Sequence, residues 1–261
     1  MTERLVTISV DDGHTTDLHT AELLSKYGLA ATFYIPRRNA EREVLSQPKI
    51  RALAQQFEIG GHTLNHVSLN SVTERCAWRE IRDGKDWLEQ VLGRAVVSFC
   101  YPRGKFNRHI VTMVRSAGFL GARTCRLNLH GFPRDPFICG ISTQAWCHSR
   151  TVQLRHAVLE GNFTGISNFV RVYKGATDWQ KHFLHAIDYV DLNGGVAHLL
   201  LHSWEIDAND EWLKLELVLR GIAERKRFAP LTNGALFELW KVRHTQLSAI
   251  DSSPALPPYF S

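Results

Sequence analysis

The chain has 261 residues, 44% hydrophobic and 22% charged, which allows one large domain with a full core and no disulfide staples. Five cysteines without a Cys-x-x-Cys pair argue against a disulfide framework, and no stretch approaches the roughly 20 apolar residues of a membrane span. A formal charge of +5 and a pI near 9.0 suit an anionic substrate or surface, but the scattered Lys and Arg form no RNP-like or zinc-finger signature, so no nucleic-acid partner is expected.

Met1-Thr2-Glu3-Arg4 runs directly into an apolar strand pattern with no leader-like segment, which leads us to expect a cytoplasmic setting. Leu5 to Val10 reads as a strand closed by the turn signal Asp11-Asp12-Gly13, and Thr16 to Tyr27 as a helix capped by Gly28. Ala30 to Ile35 is a second strand, Pro48 to Phe57 a helix, and residues 58–61 a short strand leaving through glycines. Ser71 with Glu74 resembles a capping box for a helix reaching about Leu92. Val96 to Tyr101 is a strand stopped by Pro102, Asn107 to Ala117 a helix, and Phe119 to Thr124 a strand. Residues 126–170 give no clear period and read as long loops. Asp178 to Val190 is helical, Val196 to Leu201 is a strand buried on both faces, and helices at 209–224 and 234–244 follow. One domain over residues 1–247 is expected, with residues 248–261 a poorly ordered tail.

Strands alternating with helices argue for a parallel α/β architecture, in which loops after strand C-termini converge on one face. Four such strand ends carry polar residues: Asp11-Asp12, His62, Arg103 and His202. His62 and His66, at i and i+4, share one face if they lie on a helical turn and can then reach one ion. In a chain with 13 histidines the pair taken alone also reads as surface or capping residues. Neighbouring carboxylates point different ways from an extended chain, so Asp11 and Asp12 can serve different tasks. As a set, one of these two carboxylates with His62 and His66 makes an Asp-His-His metal triad with open positions, the other carboxylate facing the metal-bound water; such a triad suits zinc and also cobalt, nickel, manganese or iron.

The sequence resembles the polysaccharide deacetylases, carbohydrate esterase family four. The resemblance rests on Ile8-Ser9-Val10-Asp11-Asp12-Gly13, then Ala31-Thr32-Phe33-Tyr34-Ile35, His62-Thr63-Leu64-Asn65-His66, Tyr101-Pro102-Arg103-Gly104 and Leu199-Leu200-Leu201-His202, in family order. It implies a distorted (β/α) barrel of seven strands that removes an N-acyl group from an amino sugar. It also implies Asp12, His62 and His66 as ligands of a divalent metal, Asp11 as general base, His202 as general acid and the Arg103 backbone N–H as oxyanion donor. The substrate would be an amino sugar, anionic if carried on a lipid or nucleotide. Two positions depart from the pattern: the third motif's usual Arg is Cys100, which puts the tuning of Asp11 in doubt, and its usual Tyr is Arg103, whose side chain either meets an anionic substrate or pairs with a nearby acid. Asp178-Trp179 resembles another family motif but also reads as a helix start; Trp204, Glu205 and His14 could border the site or belong to ordinary loops. A cyclic amide (allantoinase-like) hydrolase and an inactive sugar-binding relative stay open as alternatives.

Overall fold

The computed structural model describes residues 3–251, with side chains described to residue 245. Eight parallel strands form one curled sheet: β1 (Arg4–Asp11), β2 (Thr32–Ile35), β3 (Glu58–Gly61), β4 (Ser98–Cys100), β5 (Gly121–Arg123), β6 (Thr143–Gln144), β7 (Gly195–Leu201) and β8 (Ala229–Leu231). Seven of them run in the order β5-β4-β3-β2-β1-β7-β6. The segment leading into β6 touches both edges, because Cys139 bridges to Arg123 while Thr143 and Gln144 pair with β7. This curls the sheet into a distorted barrel. β8 lies off the path and shares an edge of β1 with β2: it pairs with Leu5–Thr7, and β2 pairs with Ser9–Asp11. The Ala-Pro-Leu of β8 was not legible as a strand because proline cannot complete a ladder and is confined to edges.

Helices α1 (Asp17–Lys26), α2 (Gln47–Leu53), α3 (Glu74–Leu92) and α4 (Arg108–Ser116) follow the first four strands, each near its expected position. The cap of α3 is Thr73, whose hydroxyl accepts from Cys76 N at 3.3 Å; Ser71 instead closes a 3₁₀ turn and donates to Ser68 O. The stretch expected to be long loops contains α5 (Arg150–Leu159) and α6 (Phe163–Arg171), capped by Ser149 and Asn162. α7 (Trp179–Asn193) precedes β7. The helix expected at 209–224 is α9 (Trp212–Glu224); a short helix that was not expected, α8 (Ser203–Ala208), precedes it, and the two are separated where Asp210 takes a φ of 52°. α10 (Asn233–Asp251) makes the first four residues of the expected tail helical; residues 252–261 lie outside the described residues.

The main core lies between sheet and helices: Val6, Ile8, Val10, Phe33, Phe99, Leu199 and Leu201, all fully buried, cluster with Leu24 of α1, Ile81 of α3, Val114 of α4 and Ile187 of α7, while the alternate strand residues, among them Ser9, Asp11, Cys100, Arg123 and His198, pair with one another on the other face. β1 and β7, in the middle of the sheet, are buried almost throughout, as their near-continuous apolar runs require. Among the described residues no helix is long and apolar enough to cross a membrane.

Candidate metal centre and active site

All strands being parallel, their C-terminal ends meet on one rim, and the expected reactive residues stand there. Asp11 ends β1, His62 follows β3, and His202 follows β7. After Asp11 the chain turns sharply, with φ of 81° at Asp12 and 64° at Gly13. A Cβ on Gly13 would lie 2.7 Å from Ile35 Cγ2, so both conformation and space demand glycine there.

His62 and His66 do not lie on a helical turn. Thr63 and His66 have φ of 63° and 54°, and the segment is an irregular loop that brings the two imidazole centroids to 4.9 Å. α3 fixes this loop. Leu64 N donates to Glu80 O, while Asn65 donates through its backbone and its side-chain amide to the Glu80 carboxylate at 2.8 and 2.7 Å. Gly84 lets the helix approach, since a Cβ there would sit 2.8 Å from the Thr63–Leu64 peptide.

Asp12 Oδ1 lies 3.0 Å from His66 Nε2 and 3.6 Å from His62 Nε2, with all three side chains nearly enclosed. His62 donates through Nδ1 to the Cys100 carbonyl at 2.9 Å, so the Nε2 of its neutral ring is a lone pair. Two acceptors facing each other in a buried site need a positive charge between them. Separations of this size suit donors sharing an ion at about 2.0–2.1 Å, and Asp12 Oδ1 otherwise lacks a hydrogen-bond partner. The donor set therefore fits a divalent cation. The other oxygen of Asp12 accepts from Trp204 Nε1 at 3.0 Å, which orients the carboxylate. Burial pushes the Asp12 carboxyl up, but the two imidazoles and His202 override it and hold it far below the usual range.

Asp11 forms an ion pair with Arg123 of β5, and both side chains are buried. Cys100 Sγ lies 3.4 Å from the same carboxylate oxygen. The arginine missing from position 100 is thus supplied by the adjacent strand, from a residue that the motif comparison did not point to. Burial raises the Asp11 carboxyl, but Arg123, His62 and His202 outweigh it and leave it below the ordinary value. Burial pushes the Cys100 thiol well up, so in the metal-free protein it stands beside Asp11 as a neutral donor; Asp11, His62 and Cys100 also lie close enough together to form a second candidate donor set. Asp11 Oδ1 is buried without a hydrogen-bond partner in the protein, which leaves it able to accept a proton.

After β7, His202 Nδ1 pairs with Glu205 at 2.8 Å, and Gln144 Nε2 reaches the same oxygen at 3.5 Å. Burial alone would lower the His202 pKa; the hydrogen bond to Glu205, with the charges of Asp12, Glu205 and Asp11, raises it to about 9. Arg103 takes a φ of 57° in the turn after β4, and its exposed side chain pairs with Glu41, the simpler of its two expected roles. His14 turns to the Thr16 hydroxyl at 2.7 Å and not to the metal donors. Asp178 caps α7 and binds Lys214, and Trp179 is buried with its N–H on Glu211, so neither reaches the cleft.

The sequence pattern of the polysaccharide deacetylase family matches residues 1–122. YxkH of Bacillus subtilis, a protein named for this family, is 28% identical over 120 residues, 45% of this chain and 43% of its own length. A peptidoglycan-N-acetylglucosamine deacetylase of Bacillus cereus is 27% identical over 135 residues, 51% of this chain and 61% of its own length. The chain thus spans about half the length of the curated relatives it matches. The fold extends the likeness: a family 4 acetyl xylan esterase from Clostridium thermocellum, solved with a cobalt ion, superposes with a TM-score of 0.54 over 90% of this chain and 91% of that one at 15% identity. Strand-end motifs and the matched sequence pattern over residues 1–122 make the first half of the chain similar to the polysaccharide deacetylase family, and the whole chain shares the barrel fold of a family 4 carbohydrate esterase.

Proposed function

We propose that the protein hydrolyses an N-acyl group, acetyl in the simplest case, from an amino sugar, with a divalent cation held by Asp12, His62 and His66. The observation that carries this reading is the meeting of Asp12, His62 and His66 in one enclosed donor set, with Asp11, paired to Arg123, and His202, paired to Glu205, near enough for their charges to act on one another. A bound cation would supply Lewis acidity, acidifying water and drawing charge from the acyl carbonyl. Asp11 then accepts the proton of the attacking water through the oxygen that Arg123 leaves free. The Arg103 backbone N–H donates to the carbonyl oxygen as it gains charge. His202, held by Glu205, protonates the departing nitrogen, without which an amine does not leave. Trp204 walls the cleft and fixes Asp12.

The test is acetate release from N-acetylated amino sugars, with allantoin as the cyclic-amide control. Release from the sugar, lost on chelation and restored by zinc or cobalt, is expected. Fully metal-loaded protein that leaves every N-acyl sugar intact, or that opens the cyclic ureide instead, would refute the reading.

A further inference from the structure

The loop between β2 and α2 forms the rim of the cleft beside the metal donors, and it is rich in arginine. Arg37, Arg38, Asn39, Arg42, Val44 and Asn65 line a cavity of about 430 Å³ there. Several contacts tie the cavity to the centre. Asn65 immediately precedes His66, and Arg38 N donates to Leu64 O at 3.0 Å. The Arg42 guanidinium lies 3.4 Å from the ring centroid of Trp204, whose indole N–H holds Asp12. One aromatic side chain therefore separates an arginine from a metal ligand.

The charges of this rim do not cancel. Glu41 is shared between Arg42 and Arg103. Arg37 and Arg38 make no ion pair or side-chain hydrogen bond with any described residue, and the Asn39 side-chain N–H₂ is buried without an acceptor. A buried amide donor without a partner is costly, and guanidinium forks match phosphate geometry well. The cavity lining carries three guanidinium groups and no carboxylate, Glu43 of the same loop lying outside it, and such a concavity suits an anion. A substrate whose acyl group lies at the metal donors must run outward over some part of the rim, and on this side the first surface it meets is positive.

We infer that this cavity is an anion subsite, taking the phosphate or diphosphate carried by the amino-sugar substrate. The inference rests on the reading of the centre as an amino-sugar hydrolase and narrows its substrate class from neutral glycans to phosphate-bearing sugars. A lipid-linked and a nucleotide-linked sugar share this chemistry.

Calorimetric titration of the metal-loaded protein with inorganic pyrophosphate, uridine diphosphate and farnesyl diphosphate tests it, beside the double variant Arg37→Gln/Arg38→Gln. Both side chains are exposed, so the fold should survive, and circular dichroism with the thermal midpoint checks that it does. Pyrophosphate binding that weakens at least roughly tenfold in the variant is expected, as for the loss of charge-assisted hydrogen bonds. Tighter binding of the uridine compound would mark a nucleotide carrier and tighter binding of the farnesyl compound a lipid carrier; equal affinities would mark recognition of phosphate alone. Pyrophosphate that fails to bind, or binds the variant as well as the native protein, overturns the inference. If N-acyl sugars are nevertheless hydrolysed, the proposed function stands without the subsite. If arginine-dependent binding occurs and no amide is cleaved, the subsite stands and the proposed function falls.

Discussion

The proposed base and metal side of the cleft is assembled by partners far apart in the chain, whereas the proposed acid takes its main partner within one turn. Asp11 is held by Arg123, 112 residues away, and Asp12 by Trp204, 192 residues away, while the His62–His66 loop rests on Glu80. His202 takes its partner three residues further along, from Glu205. The first side thus depends on the whole barrel closing correctly. The second follows chiefly from α8 beginning where β7 ends, with Gln144 of β6 reaching the same Glu205 oxygen. Damage to the first should register in metal content and stability, and damage to the second in the pH dependence of activity.

The largest effects should come from the metal donors and the base. His66→Ala removes one of three donors and is expected to abolish both bound metal and activity. Asp11→Asn keeps a side chain of the same shape, and should retain metal while the rate falls by roughly 10²–10⁴. Metal analysis beside acetate release separates the two; an Asp11→Asn protein that works at the native rate would remove Asp11 from the mechanism.

Arg123→Met should cost stability as well as rate. It leaves a buried carboxylate without its counter-charge, which typically costs about 3–5 kcal/mol, measurable by urea unfolding. With Arg123 gone, burial dominates and the Asp11 carboxyl rises. Since Asp11 must be charged to accept a proton, the acid limb of kcat/KM should move to higher pH. The double variant Cys100→Arg/Arg123→Met returns the cation to the motif position, from which the Cys100 thiol already reaches Asp11. Partial recovery of both stability and acid limb is expected. No recovery in either would mean that Arg123 serves the barrel rather than the base.

Trp204→Phe keeps an aromatic surface under Arg42 but removes the N–H that orients Asp12. Partners of metal ligands typically contribute 10–100-fold in metal affinity or activity, so an affinity loss of about that size is expected by competition with a chelator. An unchanged affinity would show that the carboxylate needs no such support.

What the sequence disclosed follows the same division. Asp11, Asp12, His62, Arg103 and His202 were legible because each stands where an apolar run meets glycine, proline or another turn residue, and parallel topology then gathers strand ends on one rim. The partners were harder to see, since their roles depend on which strands become neighbours. Arg123 did leave a signal: a charged residue within the strand expected at 119–124, which burial would oblige to find a counter-charge. α5 and α6 stayed hidden for another reason. Val158, Leu159, Phe163 and Val170 are exposed, so apolar residues fall on both faces and blur the helical period. The His62–His66 spacing suggested a helix, yet the same meeting of imidazoles is reached through left-handed residues braced by Glu80.

The smallest effect belongs to the locally built acid. The His202 pKa of about 9 lies above the ordinary 6.5, so the favourable charge interactions behind it are fully present below pH 6.5 and are lost as pH rises through 9. Glu205→Gln keeps a hydrogen-bond acceptor but removes the negative charge, so the imidazolium loses one of the groups that stabilise it and the pKa falls toward the ordinary value. Because His202 must carry a proton to release the amine, the alkaline limb of kcat/KM should move to lower pH, with little change in metal content and in the acid limb. Proton NMR titration of His202 in metal-free protein measures the first shift and the rate profile the second. An alkaline limb that stays in place while the NMR pKa falls would assign the final proton transfer to a group other than His202, and would leave Glu205 as part of the α8 turn alone.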